Sequence, residues 1–399
     1  MKRSLPLAVV ALLLVSCQAQ QSLTGETIVI AADISTATFA PARTWDQAMR
    51  FAIQRVGTVG RFHLVYRPFD NSLGGEQNAL RGHENVDRAI EDTAVLGLIG
   101  PLSTPLAHAE LPDGNRAPLA MVSPTATGNC LTVFDPACAV TAYDLRPTGR
   151  VTFFRLPTPD IGVGRAMGAY AAKKGLRSVA IFNEFGPGGR PYVNGFREVF
   201  EQSGGHVVLV QDLPAGTASF TSFLDDARKR GVDAIYAIAD GDQGPCQAAL
   251  QMKTLLPGVA FLANDGIALN SSCIKDIGAD AAEGIVANYP DVDSRNSTDP
   301  AVVAQAKAYT RAYPKQSDVN IYTFAVYDAT MLLIDAIRRA ITQNDGARPS
   351  RQQVIDAVAA TQDFAGVTGT YSFDANGDAK SPLMSIYRVE GGKWVQVSP

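Results

Sequence analysis

Two long stretches of this chain share one rhythm: a short apolar run rich in Val, Ile and Ala, a turn, then a longer segment with helical spacing. In the first stretch the runs are Thr27–Ala32, Phe62–Tyr66, Val95–Ile99 and Pro118–Val122, with helical segments at Ala42–Val56 and Glu76–Asp92. In the second they are Ser178–Phe182, His206–Gln211, Ala234–Ala239 and Ala260–Ala263. These alternate with helical segments at Gly162–Lys174, Pro191–Ser203, Ser219–Arg230 and Gln243–Leu255. A short apolar run bounded by turn residues reads as a strand buried on both faces, and such strands alternating with helices pack as a parallel sheet between helical layers. The expected fold class is therefore α/β, with two doubly wound parallel-sheet units. Length agrees, because 399 residues exceed what one hydrophobic core ordinarily serves.

The rhythm breaks in two places. Thr141–Asp160 contains Val151–Arg155 as an isolated strand between Pro-bearing segments, and Gly284–Tyr289 is a second isolated strand. Both read as crossovers between units. Helices follow near Pro300–Ala312, Ile321–Thr342 and Arg351–Ala360, and the chain closes with strands at Gly369–Phe373, Met384–Val389 and Lys393–Val397. The turn Asp374–Asp378 carries Asn376-Gly377, a hairpin signal between strands.

The amino terminus reads as an address. Lys2 and Arg3 precede an apolar run from Leu5 to Val15. That run is well short of the ~20 residues a bilayer requires, so it reads as a secretory signal. Leu14-Val15-Ser16-Cys17 resembles a bacterial lipobox, which implies that residues 1–17 form a lipoprotein signal ending at a lipid-bearing Cys17. Ordinary signal cleavage slightly later, near Ala19, is the alternative; both put the chain outside the cytoplasm. No other apolar stretch is long enough to span a membrane. A net charge of −4 with 19% charged residues gives no pull toward nucleic acid.

Besides Cys17 there are Cys130, Cys138, Cys246 and Cys273, an even set that an oxidising compartment would bridge. Cys130 and Cys138 enclose a short Pro-containing loop and are paired on that ground; Cys246 and Cys273 pair by elimination. Their spacing matches no zinc pattern and the four His are not clustered, so neither metal nor cofactor is expected.

The chemistry-bearing residues concentrate in Leu98–Gly128. Two copies of one design follow each other there: Gly100-Pro101-Leu102-Ser103-Thr104 after one strand, Ser123-Pro124-Thr125-Ala126-Thr127 after the next. Hydroxyls at the carboxyl edge of a parallel sheet, beside a helix amino terminus, suit a ligand carboxylate. Ser103 and Thr104 equally suit capping of the helix that follows. Asp265, in Asn264-Asp265-Gly266, follows another strand and could pair a ligand ammonium through a charge-assisted bond, or simply make a turn. Phe185 and Asp240 stand at equivalent strand ends, where turn or packing roles are the plainer reading.

Other motifs fall away. Asp374-x-Asn376-x-Asp378 and Asp240-x-Asp242-x-Gly244 lack the twelfth-position Glu of a calcium loop. Gly162-x-Gly164-x-x-x-Gly168 lies inside a helix with the wrong spacing for a dinucleotide site, and Gly186–Arg190 lacks the Lys-Ser/Thr of a phosphate loop. There is no Gly-x-Ser-x-Gly elbow and no His placed to serve a nucleophile, so the chain is read as a non-enzyme.

Across nearly all of its length after the signal, the chain resembles the type I periplasmic binding proteins, specifically the leucine/isoleucine/valine-binding family that serves ABC importers. The two hydroxyl turns, Phe153-Phe154-Arg155, Asp265-Gly266 with Ala282-Glu283-Gly284, and Phe364–Gly369 leading to Phe373–Gly377 carry the resemblance in order. It implies two lobes joined by three hinge crossovers, with the ligand between them. The lobes would be 18–154 plus 287–367 and 155–286 plus 368–399. By position Thr104 and Thr127 would hold the ligand carboxylate, with Ser103 a further ligand-binding residue of that turn. The backbone at Thr125 and the Asp265 carboxylate would hold its ammonium, and Phe185 and either Asp240 or Gly241 would be wall residues. The first loop, Asp33–Pro41, departs from the family pattern by lacking its Gly-Pro-rich run and Tyr, for which Trp45 or Phe39 could substitute. The resemblance implies a monomeric, lipid-anchored receptor at the periplasm or cell surface that hands an amino acid to an ABC permease. A sensory domain of the same fold, and an extracytoplasmic hydrolase, are the other readings.

Overall fold

The structure is a computed structural model that describes residues 26–35, 40–74, 76–134, 138–239, 243–269, 272–292, 297–314, 319–381 and 383–398. Cys17, Phe39, Asp240 and Gly241 lie outside the described residues.

Two sheets organise the chain. The first contains β1 (Thr27–Ile34), β2 (Thr58–Val59), β3 (Phe62–Asp70), β4 (Val95–Ile99), β5 (Ala120–Ser123) and β6 (Phe153–Arg155), in the order β2-β3-β1-β4-β5-β6. Only the short edge strand β2 runs antiparallel. Its two faces split the side chains of β1: Ile28, Ile30, Ala32 and Ile34 pack toward the helices Ala40–Val56 and Ile321–Gln343. Val29 and Ala31 pack toward Ala79–Glu91 and Thr104–Arg116. Both faces are covered, which is why these strands read as continuous apolar runs instead of alternating ones.

The second sheet contains β7 (Ser178–Asn183), β8 (His206–Asp212), β9 (Ala234–Ile238), β10 (Ala260–Ala263), β11 (Val286–Tyr289), β12 (Ser385–Glu390) and β13 (Lys393–Ser398). Their order is β8-β7-β9-β10-β11-β12-β13, parallel through β11 and antiparallel thereafter. Helices cover both faces here too, with Phe182 and Ile235 on one side and Ile181 and Tyr236 on the other.

Several expectations need correction. Val151–Arg155 and Gly284–Tyr289 are not isolated: β6 pairs with β5, and β11 pairs with β10 and β12. Each is the last strand before the chain leaves for the other unit. β6 pairs with the strand just before it, while β11 pairs both with the strand just before it and with β12, which comes much later in the chain. The helix read as Glu76–Asp92 starts at Ala79, where the Asn78 side chain accepts from the Arg81 N–H. Ser72–Leu73 and Glu76–Gln77 form a small hairpin before it. Thr370–Tyr371 pairs with Phe364–Ala365, outside both main sheets. The Asn376-Gly377 turn does make the expected hairpin, with Phe373 and Ala379 bridged antiparallel across it, but that hairpin does not extend into a ladder of either main sheet. Instead that turn docks on β6, where Arg155 bridges to Asp378.

Of the glycines in Gly162-x-Gly164-x-x-x-Gly168, Gly164 and Gly168 serve packing between the helices Asp160–Lys173 and Arg190–Gln202, while Gly162 faces Thr158. A Cβ on Gly164 would lie 2.2 Å from the Tyr192 carbonyl oxygen, and one on Gly195 would lie 2.1 Å from that of Ile161. The cysteines meet as expected from sequence, with Cα separations of 5.9 Å for Cys130 and Cys138 and 5.7 Å for Cys246 and Cys273, inside the disulfide range. Among the described residues no helix is long and apolar enough to cross a membrane.

Candidate functional site

The carboxyl ends of parallel strands from both sheets border one cleft of about 480 Å³. From the first sheet, the turn after β4 supplies Leu102, Ser103 and Thr104, and the turn after β5 supplies Thr125 and Thr127. From the second, the turn after β7 supplies Phe185 and the turn after β10 supplies Asn264 and Asp265. This is the position at which open parallel sheets take ligands. The cleft thus gathers Ser103, Thr104, Thr125, Thr127, Phe185 and Asp265 from the sequence reading.

The two hydroxyl turns are sewn to one another. The Ser123 hydroxyl donates to the Pro101 carbonyl at 2.6 Å, and the Thr125 hydroxyl donates to the Leu102 carbonyl at 2.7 Å. Thr104 Oγ1 accepts from the Gly128 N–H at 3.0 Å, and Gly128 is required there because a Cβ would lie 2.5 Å from Thr104 Cγ2. Ser103 is the cap of Thr104–Arg116: Oγ accepts from the Leu106 N–H at 3.4 Å and donates to Gln77 Oε1 at 2.8 Å. Both Ser103 bonds are internal to the cleft wall.

A buried cation orients the second turn. Arg155 is 0% exposed, and its Nη1 donates to the carbonyls of Gly128 at 2.7 Å and Ala126 at 3.4 Å. Its Nε donates to Asp378 at 2.6 Å, and Nη2 donates to the Thr132 hydroxyl at 2.6 Å, which in turn donates to Asp378 at 2.9 Å. In a trans peptide the N–H points opposite to the carbonyl. With the Ala126 carbonyl turned toward Arg155, the Thr127 N–H points away from that cation.

The opposite wall is acidic and aromatic. Asp265 Oδ2 accepts from the Tyr322 hydroxyl at 2.7 Å, a contact that joins the turn after β10 to the first turn of Ile321–Gln343. Tyr322 meets Trp45 edge-on at 6.0 Å, and the Trp45 indole N–H donates to Asn320 at 3.2 Å. Phe185 lies 6.3 Å from Tyr192 between ring centres. Asp160 opens the helix Asp160–Lys173 beside Thr127; burial pushes its carboxyl up, while the Thr127 and Tyr192 hydroxyls pull it down. Burial also raises the phenols of Tyr192 and Tyr322, reinforced by the charges of Asp160 and Asp265, so both are neutral hydrogen-bond donors. Among the described residues the cleft is lined by two carboxyl groups and no Lys, Arg or His.

Sequence reasoning missed Gln77, Asp160, Tyr192, Asn264 and Tyr322. Tyr192 and Tyr322 stand in the first turns of helices, where only the packing of the units against each other reveals that a ring faces the cleft. His83, Asp87 and Asp113 are a metal-type group among the described residues, but they sit on the surface, not among the cleft residues.

A family model described as periplasmic binding protein matches residues 27–393. The chain belongs to the periplasmic binding protein family. Membership implies an extracytoplasmic location. A leucine-, isoleucine-, valine-, threonine- and alanine-binding protein of Pseudomonas aeruginosa is 23% identical over a stretch covering 62% of this chain and 63% of that relative. A leucine binding protein from Thermotoga maritima superposes with a TM-score of 0.74 at 23% identity, covering 93% of this chain and 98% of the other. A solute binding protein from R. palustris in complex with 4-hydroxybenzoate also gives 0.74, at 18% identity and with 94% and 96% coverage. These likenesses establish the type I periplasmic-binding-protein fold. The relatives named here are binding proteins by their own descriptions.

Proposed function

We propose that this protein is the extracytoplasmic receptor of an ABC importer and that it captures an amino acid, branched-chain or a related small zwitterion, by hinge closure of two lobes. One observation carries the reading: hydroxyl turns at a helix amino terminus and the Asp265 carboxylate border the same cleft. Thr104 and Thr127 supply hydroxyl and backbone N–H donors for the ligand carboxylate. Asp265 and the Thr125 carbonyl accept from its ammonium, and charge-assisted bonds at both ends give orientation as well as affinity. Trp45, Phe185 and Tyr322 bound the space left for the side chain. The relatives that bind branched-chain amino acids support the solute class.

In this reading the lobes are 18–154 plus 287–367 and 155–286 plus 368–399, and the chain works as a monomer anchored through lipid on Cys17. Both cysteine pairs are oxidised in that compartment. An aromatic carboxylate is a second reading, favoured by the aromatic walls and by the neighbour that holds 4-hydroxybenzoate. Thermal unfolding of the chain lacking residues 1–17 in the presence of amino acids, benzoates and sugars separates the two. A ligand that binds only the folded state raises the midpoint. A rise with an amino acid that disappears in Asp265→Ala supports the zwitterion. A rise with benzoates alone moves the site to aromatic acids, and no rise with any of them removes the amino-acid reading.

A further inference from the structure

Beneath the first unit's side of the cleft lies a polar cluster that solvent does not reach. Asp33 at the end of β1 and Glu110 on the helix Thr104–Arg116 are both 0% exposed. Their oxygens converge on Gly82 of the helix Ala79–Glu91: a Cβ there would lie 2.8 Å from Glu110 Oε1 and 3.3 Å from Asp33 Oδ2. Asp33 is well served, since Asn71 Nδ2 donates to Oδ2 at 2.5 Å and Asn85 Nδ2 donates to Oδ1 at 2.6 Å. The Ser35 hydroxyl donates to Asn71 Oδ1, which fixes that amide with its NH2 toward Asp33. Glu110 differs: neither of its oxygens has a hydrogen-bond donor among the described residues.

An ionised carboxylate can only accept, and one buried without a donor is not tolerated. A proton resolves the conflict by turning Glu110 into a donor toward Asp33. A cation does not, because a divalent ion asks for about six oxygens and the two amide NH2 groups aimed at Asp33 would repel it.

We propose that Asp33 and Glu110 hold one proton between them at neutral pH, and that this shared proton pins together the segments forming the first unit's side of the cleft. Those segments radiate from the cluster. Asn71 leads into the hairpin that carries Gln77, which accepts from Ser103. Glu110 lies on the helix whose first turn carries Thr104.

Burial pushes both carboxyls upward, and the Asp33 charge pushes Glu110 further. The other charges facing the cluster are Asp70 at the end of β3, which acts on Asp33, and Arg88, whose Nη1 is 3.4 Å from Asn85 Oδ1. His108, on the same helix as Glu110, is held toward its neutral form by burial. The sign of the pH effect follows. Unfolded, Glu110 ionises near its ordinary value of about 4.3; folded, it keeps its proton to higher pH. Between those values the native state binds one more proton, so the folding equilibrium falls by up to about tenfold per pH unit as pH rises. Glu110→Gln supplies a donor without a proton and removes that slope.

The test uses the full chain and no solute, so it is independent of the amino-acid reading. Infrared spectra and thermal midpoints are taken from about pH 5.5 to about pH 8.5 for wild type, Glu110→Gln and Asp33→Asn. Expected are a protonated-carboxyl carbonyl band in the wild type that both variants lose, and a midpoint that falls with pH more steeply in the wild type than in Glu110→Gln. Asp328, pushed up to about 6 by burial, gives its own band, so assignment rests on the band lost in the variants. Amide protection, corrected for the intrinsic rise of exchange with pH, should fall with pH at residues 72–74, 76–77 and 104–110 in the wild type and stay level in Glu110→Gln. Parallel pH slopes in wild type and Glu110→Gln overturn the proposal. So does a wild-type spectrum at neutral pH with no protonated-carboxyl band, which needs no folded variant. Stabilisation by added Ca2+ or Na+ with no such band overturns it in favour of a cation.

Discussion

The Tyr322 hydroxyl donates to Asp265 from a helix that packs on the other sheet, so this carboxylate is aimed before any solute enters. Under the amino-acid reading, Asp265→Ala leaves a ligand ammonium unpaired in the cleft. Affinity is expected to fall by about 2 kcal/mol or more, roughly thirtyfold, in isothermal titration. Tyr322→Phe keeps the ring and removes one hydrogen bond, for a loss of about 1 kcal/mol, near fivefold. Arg155 acts on stability instead. Arg155→Ala strands the Asp378 carboxylate and three further acceptors, and should cost about 3–5 kcal/mol in urea unfolding. The sequence made Asp265 and the threonines visible, because hydroxyls and a carboxylate after strand-like runs have a local signature. It left Ser103 open between capping and ligand contact, and in the structure its oxygen caps the helix and bonds Gln77. Arg155 was read only as part of a crossover, since the carbonyls it gathers come from a turn 27 to 29 residues away and its carboxylate partner, Asp378, comes from the far end of the chain.

At the scale of elements, the helices Asp160–Lys173 and Arg190–Gln202 approach so closely that backbone of one meets the glycines of the other. Gly195→Ala would drive a methyl group into the Ile161 carbonyl, and backbone cannot yield as a side-chain tip does. The expected cost is about 1–3 kcal/mol, read as a lower thermal midpoint, with solute affinity falling further because Asp160 and Tyr192 stand on these two helices. Helices and parallel strands were legible because each declares itself within a few residues, through apolar runs and helical spacing, whereas the cap at Asn78, which sets where its helix begins, was passed over. Strand partnership was not. β6 and β11 looked solitary because pairing across a sheet is decided by topology: β11 is completed by β12, which arrives after three helices and a second hairpin.

The whole molecule places two sheets so that their carboxyl edges share one cleft, and the chain passes between them after β6, after β11 and before β12. If these passages are hinges, a bound amino acid should reduce the radius of gyration in small-angle X-ray scattering, and Asp265→Ala should lose that contraction along with affinity. The cysteine pairs lie within single units, so reducing them should lower the thermal midpoint while leaving the contraction intact. One arrangement reaches further. Arg155 draws two carbonyls of the Thr125–Gly128 turn inward and leaves the Thr127 N–H facing the other way. A charge the solute never touches therefore sets the polarity of the surface it meets. Under the amino-acid reading, leucine amide or a leucine ester would bring the right side chain and the right ammonium, yet no anion for that N–H. Such a receptor rejects carboxyl-blocked metabolites and the interior of peptides before it reads any side chain, and admits only molecules with a free acid end.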